Sequence, residues 1–287
     1  MQLDPRPFIG RLRWIRDYPV YAEAPTRYAA RSLMYTWREQ TTSGDTMVFT
    51  ACGGRSFRTP RNNISSFIAA VFDERDLNIV RFWRRALPAG STFFDVGANI
   101  GLYSVPASLH VGAAGRVVAF EAHPLLCQFL ANNVARNRLD NVTIENVAVG
   151  EAAGTVRLAF NARNPGETRV ALDDEAGETV PVLTLDDYCQ RRGIGRVDYI
   201  KLDVEGYEAA VLRGAAEMVR GNPGILLQTE FEPAHRARYG AADELGELLL
   251  SWNLLPHRIG WQDGRPHRLA SLDGYAGEIV WSRQALG

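Results

Sequence analysis

The chain has 287 residues, a net charge of -1, 46% hydrophobic and 23% charged residues. That balance is ordinary for a soluble protein and implies no general affinity for nucleic acid or membranes. No apolar run approaches the ~20 residues that a membrane-spanning helix needs, and residues 1–10 lack the apolar core of a signal peptide. Cys52, Cys127 and Cys189 are far apart and odd in number. They suggest neither a disulfide framework nor a zinc site, so a cytoplasmic protein with reduced thiols is expected.

Residues 1–72 are expected to form an appendage of helices and a hairpin. Arg11-Leu12-Arg13-Trp14-Ile15-Arg16 suits a short basic amphipathic helix. A solvated helix packing its aromatic face on the protein is favoured there over a membrane-surface role. A second helix is expected over 28–39, and a hairpin over 45–57 around Cys52-Gly53-Gly54. Residues 62–72 suit a loop or short helix. A helix over 73–87 ends at Pro88-Ala89-Gly90. From there strands and helices alternate: strands at 92–96, 116–120, 142–147, 154–160, 197–202 and 224–231. Helices fall at 100–110, 124–137, 205–220 and 242–252, with another starting at Leu185. A terminal hairpin is expected over 258–281, and 161–179 suits a mobile polar loop over a site. Such alternation predicts an α/β fold: a doubly wound, mostly parallel sheet with helices on both faces and ligands at the carboxyl ends of its strands. Those ends carry Asp95, Glu121, Asn146, Asp203 and Glu230.

The stretch Thr92-Phe93-Phe94-Asp95-Val96-Gly97-Ala98-Asn99-Ile100-Gly101 is an apolar strand followed by a glycine turn and a helix. The dinucleotide fingerprint needs glycine where Asp95 stands, and a carboxylate there would repel a pyrophosphate. The same carboxylate suits a ligand with an ammonium group. Glu121, ending the next strand, can accept hydrogen bonds from both ribose hydroxyls. Together they predict an adenosine ligand with a cationic amino-acid tail and no phosphates, which fits S-adenosylmethionine.

The second motif, Ile200-Lys201-Leu202-Asp203-Val204-Glu205-Gly206-Tyr207-Glu208, closes a strand and opens a helix. Acids in a first helical turn are also explained by capping. Lys201 is the only lysine of the chain. Phe94–Gly101, Phe120-Glu121 and Ile200–Gly206, with Leu185-Asp186 and Val211-Leu212-Arg213-Gly214-Ala215, resemble the FkbM-type S-adenosylmethionine-dependent methyltransferases. The resemblance covers about residues 73–235. It implies a Rossmann-like class I methyltransferase domain over 73–287 and O-methylation of a sugar, glycan or natural-product hydroxyl. Substrate choice would then sit in residues 1–72 and in the tail.

A hydroxyl acceptor benefits from a base. Asp203 is the first candidate and also a cofactor contact, Glu230 the second, and Glu232 and His235 the third. Glu205 would hold the substrate or a cation, Lys201 would orient a carboxylate, and His123 would line the ribose edge. Asp95, Gly97, Asn99, Gly101, Glu121 and Asn146 would hold the cofactor. A divalent metal on Asp203, Glu205 and Glu230 is conceivable, though no spacing supports it. No nucleic-acid partner and no integral membrane segment are expected. The alternatives are a non-catalytic S-adenosylmethionine-binding or scaffold protein, and an NAD-linked oxidoreductase, which the missing G-x-G-x-x-G disfavours.

Overall fold

The computed structural model describes residues 5–74, 77–161, 168–172, 175–232 and 244–286. The appendage comprises α1 (Pro5–Ile15), α2 (Pro25–Thr41), the hairpin β1 (Thr46–Ala51) and β2 (Arg55–Pro60), and α3 (Ile64–Phe72). Its core is aromatic: Phe49 stacks on Phe57 (centroids 5.5 Å apart), and Trp14 stacks on Phe67 (5.8 Å). The aromatic side of α1 therefore packs inward, as its sequence suggests. This core continues into Ile100, Leu126 and Phe129 of the larger unit.

The larger unit runs α4 (Leu77–Ala86), β3 (Thr92–Val96), α5 (Ser104–Val111), β4 (Arg116–Phe120), α6 (Pro124–Arg136) and β5 (Val142–Glu145). Next come β6 (Ala148–Val149), β7 (Gly154–Ala159), β8 (Arg169–Val170), β9 (Glu178–Leu183), α7 (Leu185–Arg192) and β10 (Tyr199–Leu202). The chain continues through α8 (Glu208–Arg213), α9 (Ala216–Gly221), β11 (Leu226–Phe231), α10 (Glu244–Ser251), β12 (Leu255–Ile259), β13 (Pro266–Arg268) and β14 (Gly277–Ser282). Eight strands form one sheet in the order β13-β12-β14-β11-β10-β3-β4-β5. β5, β4, β3, β10 and β11 are parallel, and β14 runs antiparallel between β11 and β12.

Helices cover both faces, so β3, β4 and β10 are buried almost throughout and mostly apolar. Phe94, Phe120 and Ile200 pack into one layer. Phe93 and Tyr199 pack into the other with Trp83, the two rings stacked 4.9 Å apart. From β3 the chain steps outward through β4 and β5, then returns to place β10 on the other side of β3. That reversal opens a crevice at the carboxyl ends of β3 and β10. The appendage is tied to α6 by side chains acting as strand partners: Asn133 Oδ1 accepts the Arg58 N–H (2.6 Å), and Asn133 Nδ2 donates to the Arg58 carbonyl (2.9 Å).

Several boundaries differ from the sequence expectation: the helix expected over 100–110 starts only at Ser104, and the strand expected over 142–147 ends at Glu145. The helix expected over 205–220 starts only at Glu208 and breaks at Gly214 into α8 and α9. Glu205 and Gly206 hold positive φ (56° and 99°), which a helix cannot accept. The terminal hairpin is instead three strands that extend the main sheet, β14 pairing with β11 and β12. Within the polar stretch 161–179, β8 pairs with β7, and β9 starts at Glu178. Residues 162–167 and 173–174 of that stretch, and His235, lie outside the described residues.

Candidate active site

The turn after β3 is held from two sides. The Gly97 and Ala98 N–H groups both donate to the Phe120 carbonyl at 3.0 Å, and the Asp203 N–H donates to Val96 O at 3.1 Å. Gly97 sits at φ +76°, and a Cβ there would lie 2.0 Å from the Asp203 carbonyl oxygen. Glycine is therefore required twice, for the dihedral and for the close approach. Gly97→Ala should destabilise the protein by at least ~2 kcal/mol in urea unfolding. Gly90, at φ +85° with nothing within 4 Å of its hypothetical Cβ, isolates the dihedral contribution. Equal losses in Gly97→Ala and Gly90→Ala would show that the approach to Asp203 is not tight. Gly101, at φ +91°, faces Leu130 of α6 and not the cavity.

Glu121 follows β4 and is 5% exposed. Its Oε2 accepts the Asn99 N–H at 2.6 Å, and its Oε1 accepts the His123 N–H at 2.8 Å. Each oxygen keeps a second lone pair for a hydroxyl donor. Burial pushes its pKa up to about 7, against the two backbone hydrogen bonds, which pull it down. Asn99 holds a left-handed φ of 53°, and its Oδ1 caps the Ile100 N–H at 2.9 Å. Asn146 does not line the cavity; its Nδ2 donates to the Glu121 carbonyl at 2.7 Å and so braces Glu121 from behind.

Lys201 is 2% exposed and stands between two carboxylates. Its Nζ lies 3.4 Å from Asp95 Oδ1 and 3.4 Å from Asp203 Oδ2, and donates to the Gly97 carbonyl at 2.9 Å. The Tyr103 ring covers the ammonium at 4.9 Å. Lys201 and Asp95 are cross-strand partners in the β10–β3 register. Ser104 completes the cluster, donating to Asp95 Oδ2 at 2.5 Å. Asp95 is fully buried and does not line the cavity. Among the described residues its Oδ1 receives no hydrogen bond and faces the ammonium, an ion pair without hydrogen-bond geometry. The lone lysine thus lies within ion-pair distance of both carboxylates.

The turn 203–207 brings Asp203, Val204, Glu205 and Tyr207 to the cavity wall. Glu208 holds it: its Oε1 accepts the Val204 N–H (3.0 Å) and the Gly206 N–H (3.3 Å). Burial pushes the Glu208 carboxyl up to about 7. Sequence reasoning gave Glu208 no role. The signal was an acid two residues after a glycine that ends a strand motif, where turn N–H groups need an acceptor.

These elements enclose a cavity of about 260 Å³. Glu121, Gly97 and Asn99 lie along it with Asp203, Glu205 and Glu230, and Phe120, Leu126 and Val147 supply apolar wall. Ile64 and Ser65 of α3 and Arg169 of β8 also reach it, none of them marked by a sequence motif. Glu232 does not line it. His123 stacks on Phe160 (4.0 Å, 14°) and accepts the Leu125 N–H through Nδ1 at 3.2 Å, capping α6. Among the described residues no group of three His, Cys, Asp or Glu is placed to hold a metal ion, so Asp203, Glu205 and Glu230 do not form a ligand set there. An acceptor-rich lining beside an apolar slot fits S-adenosylmethionine: a diol for Glu121, an apolar bed for a purine, and carboxylates around a cation.

Leaving aside the edge strand β13, this strand order, with β14 antiparallel between β11 and β12 and a glycine turn facing an acid at the end of the neighbouring strand, is that of a Rossmann-like class I methyltransferase. The model of the methyltransferase FkbM domain matches residues 95–252. The chain belongs to the FkbM family of S-adenosylmethionine-dependent methyltransferases. It is 31% identical over 163 residues to the 31-O-demethyl-FK506 methyltransferase FkbM of Streptomyces tacrolimicus, covering 46% of this chain and 62% of that protein. It is 28% identical over 163 residues to methyltransferase sdnD of Sordaria araneosa, again covering 46% and 62%. The chain thus spans about three-fifths of the length of these relatives. A methyltransferase FkbM from Methylobacillus flagellatus KT, known as a crystal structure, aligns with a TM-score of 0.46 at 17% identity, covering 76% of this chain and 52% of that one.

Proposed function

We propose that this protein methylates a hydroxyl oxygen of a sugar, glycan or natural product. The observation that carries the reading is one cavity lined by a buried carboxylate, Glu121, together with the carboxylates Asp203 and Glu230. The name of the Streptomyces relative describes transfer to an oxygen of a natural product. When bound, S-adenosylmethionine supplies an electrophilic methyl group on a sulfonium. Glu121 would hold the ribose hydroxyls. Gly97 and Asn99 shape the turn beside it, Gly101 seats the following helix, and Asn146 steadies Glu121. Asp203 would take the proton of the acceptor hydroxyl, with Lys201 fixing its carboxylate and Asp95 fixing Lys201. Glu205 and Tyr207 would orient the acceptor, and Glu230 is the second candidate base. Turnover with a panel of hydroxyl acceptors tests this. The expected result is S-adenosylhomocysteine together with an O-methylated product; methylation at nitrogen or carbon would refute it.

The ionised form of Glu121 is the better acceptor for hydroxyl donors. Its pKa is raised to about 7, so proton competition sets in as pH falls through that value. Affinity for S-adenosylhomocysteine should therefore be greatest above about pH 7 and weaken on acidification. Charge-assisted hydrogen bonds are worth ~1.5–3 kcal/mol, so Glu121→Ala should weaken binding about ten- to a hundredfold. Calorimetry over pH checks both; unchanged affinity in folded Glu121→Ala would place the ribose elsewhere.

A further inference from the structure

Helix α2 is turned inside out. Its buried side carries Ser32 and Thr36 beside Tyr28 and Tyr35. Its outer side exposes Leu33 (40%), Met34 (50%) and Trp37 (51%). These three follow the i, i+1, i+4 spacing of one helical stripe. Arg27 and Arg38 are exposed along the same stripe. α1 packs beside α2, with Arg11 donating to Thr36 Oγ1 at 3.2 Å, and exposes Ile9, Arg13 and Arg16. Arg11 and Arg31 are committed internally, to Glu39 and Asp73.

The near-neutral charge of the whole chain conceals an asymmetry. Residues 1–72 hold ten arginines against five acidic residues. The remaining residues hold the opposite excess, since the total is -1. An apolar stripe set among arginines is the composition of a helix lying in a membrane interface. Apolar side chains enter the headgroup region while arginines meet anionic headgroups. A second copy of the chain would bring one basic face against another. A purely polyanionic partner would leave Leu33, Met34 and Trp37 unexplained. No described helix is long and apolar enough to cross a membrane, so contact through this face is peripheral.

We infer that the outer face of α1 and α2 docks this protein on an anionic lipid surface. Cosedimentation of the full chain with phosphatidylcholine vesicles, with and without phosphatidylglycerol, tests it. The expected result is binding to the anionic vesicles, release by added salt, and little binding to the neutral ones. Leu33→Ser with Trp37→Ser should lower partitioning at least about tenfold, and Arg27→Gln with Arg38→Gln should lower it on anionic vesicles only. Both variants change exposed residues, so thermal unfolding and S-adenosylhomocysteine binding should match wild type. Failure of the folded wild type to bind anionic vesicles would overturn the inference. So would a concentration-dependent dimer that Leu33→Ser with Trp37→Ser abolishes, since the face would then belong to a second copy.

Discussion

Asp203→Asn should bind S-adenosylmethionine within about tenfold of wild type and lose roughly 10²–10⁴ in methyl-transfer rate. Asparagine keeps the size and much of the hydrogen bonding of aspartate but cannot take a proton. Asp203 stands on the cavity wall, while its backbone N–H is fixed to Val96 O (3.1 Å) and its Oδ2 to Lys201 (3.4 Å). A base held from two sides loses little freedom when the acceptor arrives. Single-turnover kinetics beside calorimetry separate the outcomes. Collapse of binding would make Asp203 a cofactor ligand. A rate near wild type would move the base elsewhere, and Glu230 is then tested next.

Lys201→Met should destabilise the protein by ~3–5 kcal/mol, the usual result of removing one partner from a buried ion pair. Methionine nearly fills the space, so the loss reports charge more than volume. Asp95 is fully buried and depends on the ammonium for its Oδ1. With methionine in place Asp95 retains only the Ser104 hydroxyl on Oδ2 among the contacts described above. Part of the loss should be recovered in Lys201→Met with Asp95→Asn, because the orphaned charge is then gone. Urea unfolding measures this; a loss below about 1 kcal/mol, or no recovery in the double variant, would show that Lys201 does not balance the two acids.

The strands legible in the sequence are those whose physics is local. Strands β3 and β4 are buried on both faces, and their apolar runs end at a glycine turn and at an acid, so 92–96 and 116–120 emerge with correct bounds. The place of Asp95 was less legible. It is the fourth residue of a five-residue strand, and its side chain points into the layer shared with Lys201, not out of the sheet edge. Only the cross-strand register reveals that pairing. The late start of α8 was hidden because Glu205 takes a left-handed φ that residue type does not announce. The insertion of β14 beside β11 is a long-range pairing that no local pattern encodes. Ile64, Ser65 and Arg169 reach the cavity through tertiary packing alone, which is why no motif marked them.

The central claim is that Glu121 and the Gly97 turn form a nucleoside site within one cavity with Asp203. A crystal structure with S-adenosylhomocysteine tests it most directly. The account predicts both ribose hydroxyls within hydrogen-bond distance of the Glu121 carboxylate, the purine against Phe120, Leu126 or Val147, and the sulfur on the side of Asp203. A nucleoside bound in another crevice, or a ribose turned away from Glu121, would contradict it.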